Sequence, residues 1–405
     1  MDTTKIGQYL FELRKYYKIT QEDLANHLSV SRQAVSRWET GASVPTIEIL
    51  LKLSELYGVT INDILEADVS NIKYQKEIIF PGESGRGKKV FVIGCGRWGS
   101  FIAWYLDRIG HHVSLYGRES SANMQQFMKE RKNEYLTLQE SVELTTDISK
   151  CVDADIIVIS ISSQTLYQVA EQLKELGMED KIIVLCMKGI EIGTGRRLSQ
   201  IVSDTVHHSN KVAVWLGPGH VQEFCRGIPN CMVIDSNDEI TKDNLIRSFS
   251  SDLIRFYFGT DLIGNEIGGA AKNVIGIAAG MLDGLDMSSL KGALMARGTR
   301  EIARLIEAMG GDASSAYGLC HLGDYEATLF SKHSQNRAFG ESYVKQSNYT
   351  KLAEGYYTVK AICNLGKSYK VELPICEAVY KVLYEEKNIK ETFHELFQRS
   401  LKKEF

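Results

Sequence analysis

The chain has 405 residues, 44% hydrophobic and 24% charged, with a formal net charge of −4. This is ordinary for a globular protein and long enough for two or three domains. No run of about eighteen apolar residues and no signal-peptide core occurs, and the eight cysteines lack CxxC spacing, so a cytoplasmic chain with reduced thiols, no membrane partner and no metal site is expected.

Residues 1–68 read as short helices. Ile6, Leu10 and Leu13 mark the first. Thr20, followed three residues later by Asp23, starts a second near a capping box. Arg32 to Glu39 makes a third, ending before Gly41, and Thr46–Tyr57 and Ile61–Leu65 complete the unit. The order TQEDLA, SVSRQAVSRWE and P-T-x-x-x-L-x-x-L resembles the helix-turn-helix domain of phage-repressor-type transcription regulators. That resemblance implies double-stranded DNA as a partner, met by Gln21, Ser31, Arg32, Gln33, Ser36 and Arg37. Glutamine suits an adenine edge and arginine a guanine edge, and either can hold phosphate. The 68 residues carry 7 Lys+Arg against 10 Asp+Glu. Phosphate neutralisation by one copy is therefore weak, and a homodimer is expected.

Residues 69–88 read as a linker, with PGESGRGKK rich in glycine and charge. Lys89–Ile93 is an apolar strand, followed by Gly94-Cys95-Gly96-Arg97-Trp98-Gly99, a helical pattern, and a second strand His112–Tyr116. Strand, G-x-G-x-x-G and helix in this order make a dinucleotide-binding turn. Gly94, Gly96, Arg97, Trp98 and Gly99 are its expected cofactor contacts. After the second strand stands Arg118 where NAD-binding chains carry an acid, which favours NADPH, with NAD possible. Apolar runs Asp155–Ser160 and Lys181–Cys186 read as parallel strands covered on both faces, and Val212–Leu216 as a further one. Arg255–Tyr257 and Thr260–Ile263 read as short strands.

Gly264 to Gly280 reads as a helix of small residues around one ammonium group, Lys272. Gly268 and Gly276 lie one turn either side of it, so its face is nearly bare. Glycine costs a helix on the order of 1 kcal/mol against alanine, which points to close approach of backbone or ligand there. The rest is mostly helical, with a Gly/Asp loop at Gly318–Asp324 and a polar loop at Ser331–Asn336. The fold class expected is multidomain: an all-α helix-turn-helix domain (1–68), a Rossmann-type α/β domain (89–263) and an all-α domain (264–405).

The motifs KGIE, GP-x-H, E-x-G-G-A-x-K-N-V, GDYEAT and S-Q-N-R-x-F-G, in order from Lys188 to Gly340, resemble those of bacterial NAD(P)-dependent glycerol-3-phosphate dehydrogenases. The resemblance implies reduction of dihydroxyacetone phosphate to sn-glycerol 3-phosphate, a phospholipid precursor. It implies Lys272 as catalytic lysine, with Asp324 and Lys188 beside it, and Glu354 and Lys188 on the cofactor side. Gly217, Gly219, Asn273, Thr328, Ser334, Gln335, Asn336 and Arg337 fall at substrate positions. Three departures stand out: Gln335 replaces an arginine that grips phosphate, Gly219 replaces serine or threonine, and Arg97 replaces a small residue. All three touch ligands and none touches the acid catalysts; the opposing reading is compensation, in which Arg337 or Arg97 supplies the lost charge. The alternatives are a transcription regulator whose dehydrogenase-like body senses a nicotinamide cofactor or phosphorylated metabolite, and a reductase of another small carbonyl compound.

Overall fold

In the computed structural model, residues 2–17, 19–57, 59–67 and 86–400 are described. The chain forms two compact units, Met1–Phe80 and Pro81–Phe405. The expected linker falls largely outside the described residues.

The first unit holds α1 (Thr3–Tyr16), α2 (Gln21–Leu28), α3 (Arg32–Glu39), α4 (Ile47–Tyr57) and α5 (Ile61–Glu66). Thr20 and Asp23 close a full capping box on α2, as Thr60 and Asp63 do on α5. Ser31 caps α3 by accepting from the Ala34 amide. Leu13, Val35, Leu53 and Ile64 are fully buried between the helices. Within that core Arg14 and Glu39 pair at 2.5 Å, almost without exposure.

The second unit is built on one eight-stranded sheet. Its strands are β1 (Lys89–Ile93), β2 (His112–Tyr116), β3 (Glu143–Thr145), β4 (Ile156–Ile159), β5 (Ile182–Leu185), β6 (Lys211–Leu216), β7 (Asn230–Ser236) and β8 (Ile254–Phe258). The order is β3-β2-β1-β4-β5-β6-β7-β8, parallel except for the β6–β7 pair. Alternate residues point to opposite faces: Val90, Val92 and Val158 enter one core, Phe91, Ile93, Ile157 and Ile159 the other. Parallel crossovers run through α6 (Arg97–Arg108), α7 (Ala122–Glu130), α8 (Leu166–Glu175), α9 (Leu198–Thr205) and α11 (Glu239–Phe249), while the short α10 (Val221–Phe224) lies between the antiparallel pair β6 and β7.

Beyond β8 the chain is helical: α12 (Leu262–Gly284), α13 (Lys291–Ala308), α14 (Gln335–Val344), α15 (Glu354–Tyr369), α16 (Pro374–Tyr384) and α17 (Ile389–Phe397). The expected strand Thr260–Ile263 does not form. Asp261 instead accepts from the Gly264 amide as N-cap of α12, since the sheet ladder has ended at Phe258. The expected polar loop also shortens, because Ser334 caps α14 and Gln335 begins it. Strands β3 and β7 are not among the expected ones; β7, NCMVIDS, starts and ends on polar residues that hide its pattern. Among the described residues no helix is long and apolar enough to cross a membrane.

Candidate active site

Helix α12 is the axis of the site, buried along almost its whole length. Its small residues permit this. A Cβ on Gly276 would lie 2.7 Å from Thr328 Cγ2 and 3.3 Å from Asn336 Cβ. Glycine there lets the π-helical turn Glu326–Phe330 and α14 descend beside Lys272. At the start of α12, buried Glu266 is anchored to Arg197 at 2.5 Å and accepts from Ser199 at 2.6 Å.

Lys272 Nζ lies 2.5 Å from Asp324 Oδ2 and donates to Thr328 Oγ1 at 2.9 Å. The same carboxylate oxygen takes Lys188 Nζ at 2.6 Å, and Lys188 donates also to the Gly217 carbonyl at 2.7 Å. Lys188 stands beyond β5, Gly217 beyond β6, and Asp324 ends the 3₁₀ turn Leu322–Asp324. Asn273 donates to the Lys188 carbonyl at 3.2 Å, and Asn336 donates to Asn273 Oδ1 at 3.0 Å. Asn336 Oδ1 in turn accepts from the Gly355 amide at 2.9 Å. A chain of amides thus ties the segment beyond β5 to α12, α14 and α15.

Burial lowers the Lys272 ammonium to about 7; Asp324 opposes the fall and the Lys188 charge adds to it. A lysine near 7 can give and retake a proton at neutral pH. One carboxylate facing two ammonium groups leaves positive charge where a substrate oxygen can develop negative charge.

The glycine-rich turn links β1 to α6. Gly96 caps α6 without a side-chain bond, and the space in front of its α-carbon is open. The first-turn amides can therefore take a phosphate, and a dinucleotide fits on that ground. Gly94 leads into the turn, and Gly99 packs on the Gly94 carbonyl. The Trp98 ring is engaged with Phe101 and Phe224, leaving its backbone for the turn. Arg118 is exposed just beyond β2, its charge within reach of Tyr116. Glu354, first residue of α15, accepts from the Ser163 hydroxyl at 2.6 Å. Ser163 is not among the expected site residues, although S-I-S-S beyond a parallel strand is a signal for it.

Gly219 has φ +149°, and a Cβ there would run into the Phe224 ring. A serine or threonine therefore does not fit this backbone. Ser334 serves as helix cap, accepting from the Arg337 amide at 3.3 Å. Gln335 is held by the Tyr349 hydroxyl, 2.8 Å from both its Oε1 and its carbonyl. The idea that Arg337 replaces the missing phosphate charge is corrected by geometry. Its guanidinium lies 2.7 Å from Asp283 and 3.3 Å from Glu341, so two carboxylates already answer it. Among the described residues Arg97 meets no such carboxylate, and its charge reaches Tyr135 and Tyr349, the partner of Gln335.

In the first unit Ser31, Arg32, Gln33 and Arg37 are exposed along α3 and Ser36 is half-buried. Gln21 is partly committed elsewhere, since its amide donates to Glu39 at 2.8 Å.

Family models describe the two parts of the second unit. Residues 89–242 match the NAD-dependent glycerol-3-phosphate dehydrogenase N-terminus and residues 261–394 its C-terminus. A glycerol-3-phosphate dehydrogenase [NAD(P)+] of Prosthecochloris aestuarii is 35% identical over 330 residues, covering 78% of this chain and 99% of that relative. The chain belongs to the glycerol-3-phosphate dehydrogenase family. A second dehydrogenase of this name, from Fusobacterium nucleatum, is 37% identical over 332 residues, covering 78% of this chain and 98% of its own. The crystal structure of glycerol-3-phosphate dehydrogenase from Coxiella burnetii superposes with a TM-score of 0.73 at 26% identity, covering 78% of this chain and all of that one. This dehydrogenase differs in carrying a segment, residues 10–64, that matches a helix-turn-helix model.

Proposed function

We propose that this chain reduces dihydroxyacetone phosphate to sn-glycerol 3-phosphate with a nicotinamide cofactor, reversibly, and that its first unit binds double-stranded DNA. The observation that carries the catalytic reading is the pair of ammonium groups, Lys272 and Lys188, converging on one oxygen of Asp324. Bound on the turn Gly94–Gly99, with Arg118, Lys188 and Glu354 as further contacts, the reduced nicotinamide supplies the hydride. Lys272 protonates the carbonyl oxygen of the substrate as negative charge grows there. Asp324 holds both ammonium groups in place, and Lys188, fixed between Asp324 and the Gly217 carbonyl, contributes charge without being the proton donor. Thr328 orients Lys272, and Asn273 and Asn336 keep the walls in register. The substrate phosphate is met by Gln335 and by Arg97, which meets no carboxylate among the described residues, with Gly219 and Ser334 lining the same side. NADPH is preferred over NADH through Arg118.

The domain assignment that goes with this reading is 1–68 for DNA, 69–88 as linker, 89–263 for the cofactor and 264–405 for catalysis. A homodimer joined through the dehydrogenase body supports DNA binding, because a unit with more acids than bases gathers little phosphate attraction alone. Its operator is a pseudo-palindrome with half-sites about 34 Å apart. All eight cysteines are free thiols, which supports a reducing, cytoplasmic location.

The deciding assay follows NADPH absorbance with purified protein and dihydroxyacetone phosphate. Steady turnover that Lys272→Ala abolishes, with NADPH affinity kept within a few-fold, supports the enzyme. Cofactor binding without turnover rejects it and leaves the second reading, a regulator that senses the cofactor or a phosphorylated metabolite. Gly219 and Gln335 favour that second reading, because each removes a polar group from the substrate side.

A further inference from the structure

Three residues before Asp324 stands a fully buried imidazole, His321. It joins the two elements that carry the ion pair. Its backbone carbonyl accepts the Asp324 amide at 3.0 Å, closing the 3₁₀ turn that ends on the carboxylate. Its ring Nδ1 lies 2.8 Å from the carbonyl of Gly268, on α12 and one turn before Lys272. In an α-helix that same carbonyl accepts the amide four positions on, here the amide of Lys272 itself. Gly268 makes the approach possible, since a Cβ on it would lie 2.9 Å from His321 Cβ.

The partners decide where the ring carries its proton. A backbone carbonyl can only accept, so Nδ1 holds the hydrogen and donates to Gly268. Nε2 is left with a lone pair, which accepts from the Tyr325 hydroxyl at 2.7 Å. Burial lowers the ring to about 4 against the opposing Gly268 bond, so it is neutral at pH 7 and adds no third positive charge beside Asp324. Tyr325, also fully buried, leads into the turn whose Thr328 accepts from Lys272. One imidazole therefore ties together α12, the Asp324 turn and the start of the Thr328 turn. A packing residue would fill this space with carbon. A buried polar ring with both nitrogens matched specifies a single geometry.

We propose that His321 is a positioning residue for carbonyl reduction: by donating from Nδ1 to the Gly268 carbonyl, it holds the turn that carries Asp324 against the part of α12 that carries Lys272. The proposal rests on the dehydrogenase reading, in which Lys272 gives the proton. The charged groups that bear on Lys272 are Asp324 and Lys188. The imidazoles that feel its charge, His220 and His321, are both shifted down by burial. Loosening the Asp324 turn therefore takes away the support of the one carboxylate, and the Lys272 proton is lost at lower pH.

The test is a pH–rate profile of NADPH oxidation with dihydroxyacetone phosphate, on the full chain, for wild type, His321→Leu, His321→Asn and Tyr325→Phe. Leucine removes the donor at similar bulk, and the asparagine amide can donate where Nδ1 does. In His321→Leu the break in kcat/KM should move down from about pH 7 by roughly one unit, slowing reduction at pH 7 about fivefold. NADPH affinity should stay within about twofold. His321→Asn should return the break to near its wild-type place, and Tyr325→Phe should lower it. A break left near pH 7 in His321→Leu, whatever the loss of thermal stability, overturns the proposal, as does an asparagine variant that follows leucine. Should the leucine variant fail to fold, the break in Tyr325→Phe decides in the same way. Failure of wild type to turn over dihydroxyacetone phosphate rejects the dehydrogenase reading instead. NMR titration of protein labelled at lysine Cε, with the Lys272 signal assigned by its loss in Lys272→Ala, then decides the positioning role separately. A Lys272 titration lowered by leucine and restored by asparagine upholds it, and one that neither variant moves rejects it.

Discussion

Asp324→Asn isolates the electrostatics of the site. The substitution keeps the shape of the side chain and removes the charge that lies 2.5 Å from Lys272 and 2.6 Å from Lys188. Both partners are largely withdrawn from water, with Asp324 itself 1% exposed. Breaking a buried ion pair costs about 3–5 kcal/mol. Shared equally between the two ammonium groups, about 2 kcal/mol falls on Lys272; unshared, about 4 kcal/mol does. Lys272 begins at about 7, and at 1.36 kcal/mol per pKa unit its value drops to roughly 4–5.5. Half the molecules carry the Lys272 proton at pH 7 in the wild type, against about 3% or fewer in the variant. Carbonyl reduction at pH 7 should therefore slow by roughly 15- to 500-fold. The sign is specific. Reduction needs the protonated lysine, so wild-type kcat/KM is flat below about pH 7 and falls above it. In the variant that descent begins at lower pH, and activity recovers on acidification. The assay is a pH–rate profile of NADPH oxidation for both proteins. A variant profile that still breaks near pH 7 would refute the assignment of Lys272 as the proton donor tuned by Asp324.

Arg118→Asp is expected to narrow or invert the NADPH preference, read by titrating both cofactors; equal wild-type affinities would reject the role of Arg118. Gln335→Arg should raise substrate affinity by about 10- to 100-fold, as a charge-assisted phosphate contact does, and less at high ionic strength. Arg97→Ser should weaken it by a similar factor, and an unchanged KM in both variants would mean that neither residue meets the phosphate. Glu39→Ala leaves the Arg14 guanidinium buried without its counter-charge. It should cost the first unit about 3–5 kcal/mol, seen as an earlier transition in calorimetry of the full chain. DNA affinity of residues 1–88 should fall well below that of the full chain in an anisotropy titration, and equal affinities would refute the dimer argument.

Local chemistry determined what could be read without coordinates. The helix-turn-helix unit announces itself through caps: Thr20–Asp23 and Ser31 act within a few residues of their targets, so their meaning survives in one dimension. The glycine turn after β1 is equally local, and the apolar runs of β4 and β5 reflect a sheet covered on both faces. Lys272 could be singled out because glycines cost a helix stability, so their presence on its face marks a close approach there. What it does could not. Its pKa near 7 depends on burial under the Glu326–Phe330 turn and on Lys188, delivered by a strand distant in sequence. The same holds for charge partners. Arg337 reads as a free phosphate ligand until α12 brings Asp283 to it, and Gly219 reads as a lost hydroxyl until the Phe224 ring is found in its way. Strand Thr260–Ile263 dissolved for a related reason: its apolar residues fit a ladder, but the sheet had ended and Asp261 was placed to cap a helix. Caps, turns and periodicity are short-range and written in order along the chain. Burial, ion pairing and steric exclusion are set by residues that meet only when the tertiary structure brings them together.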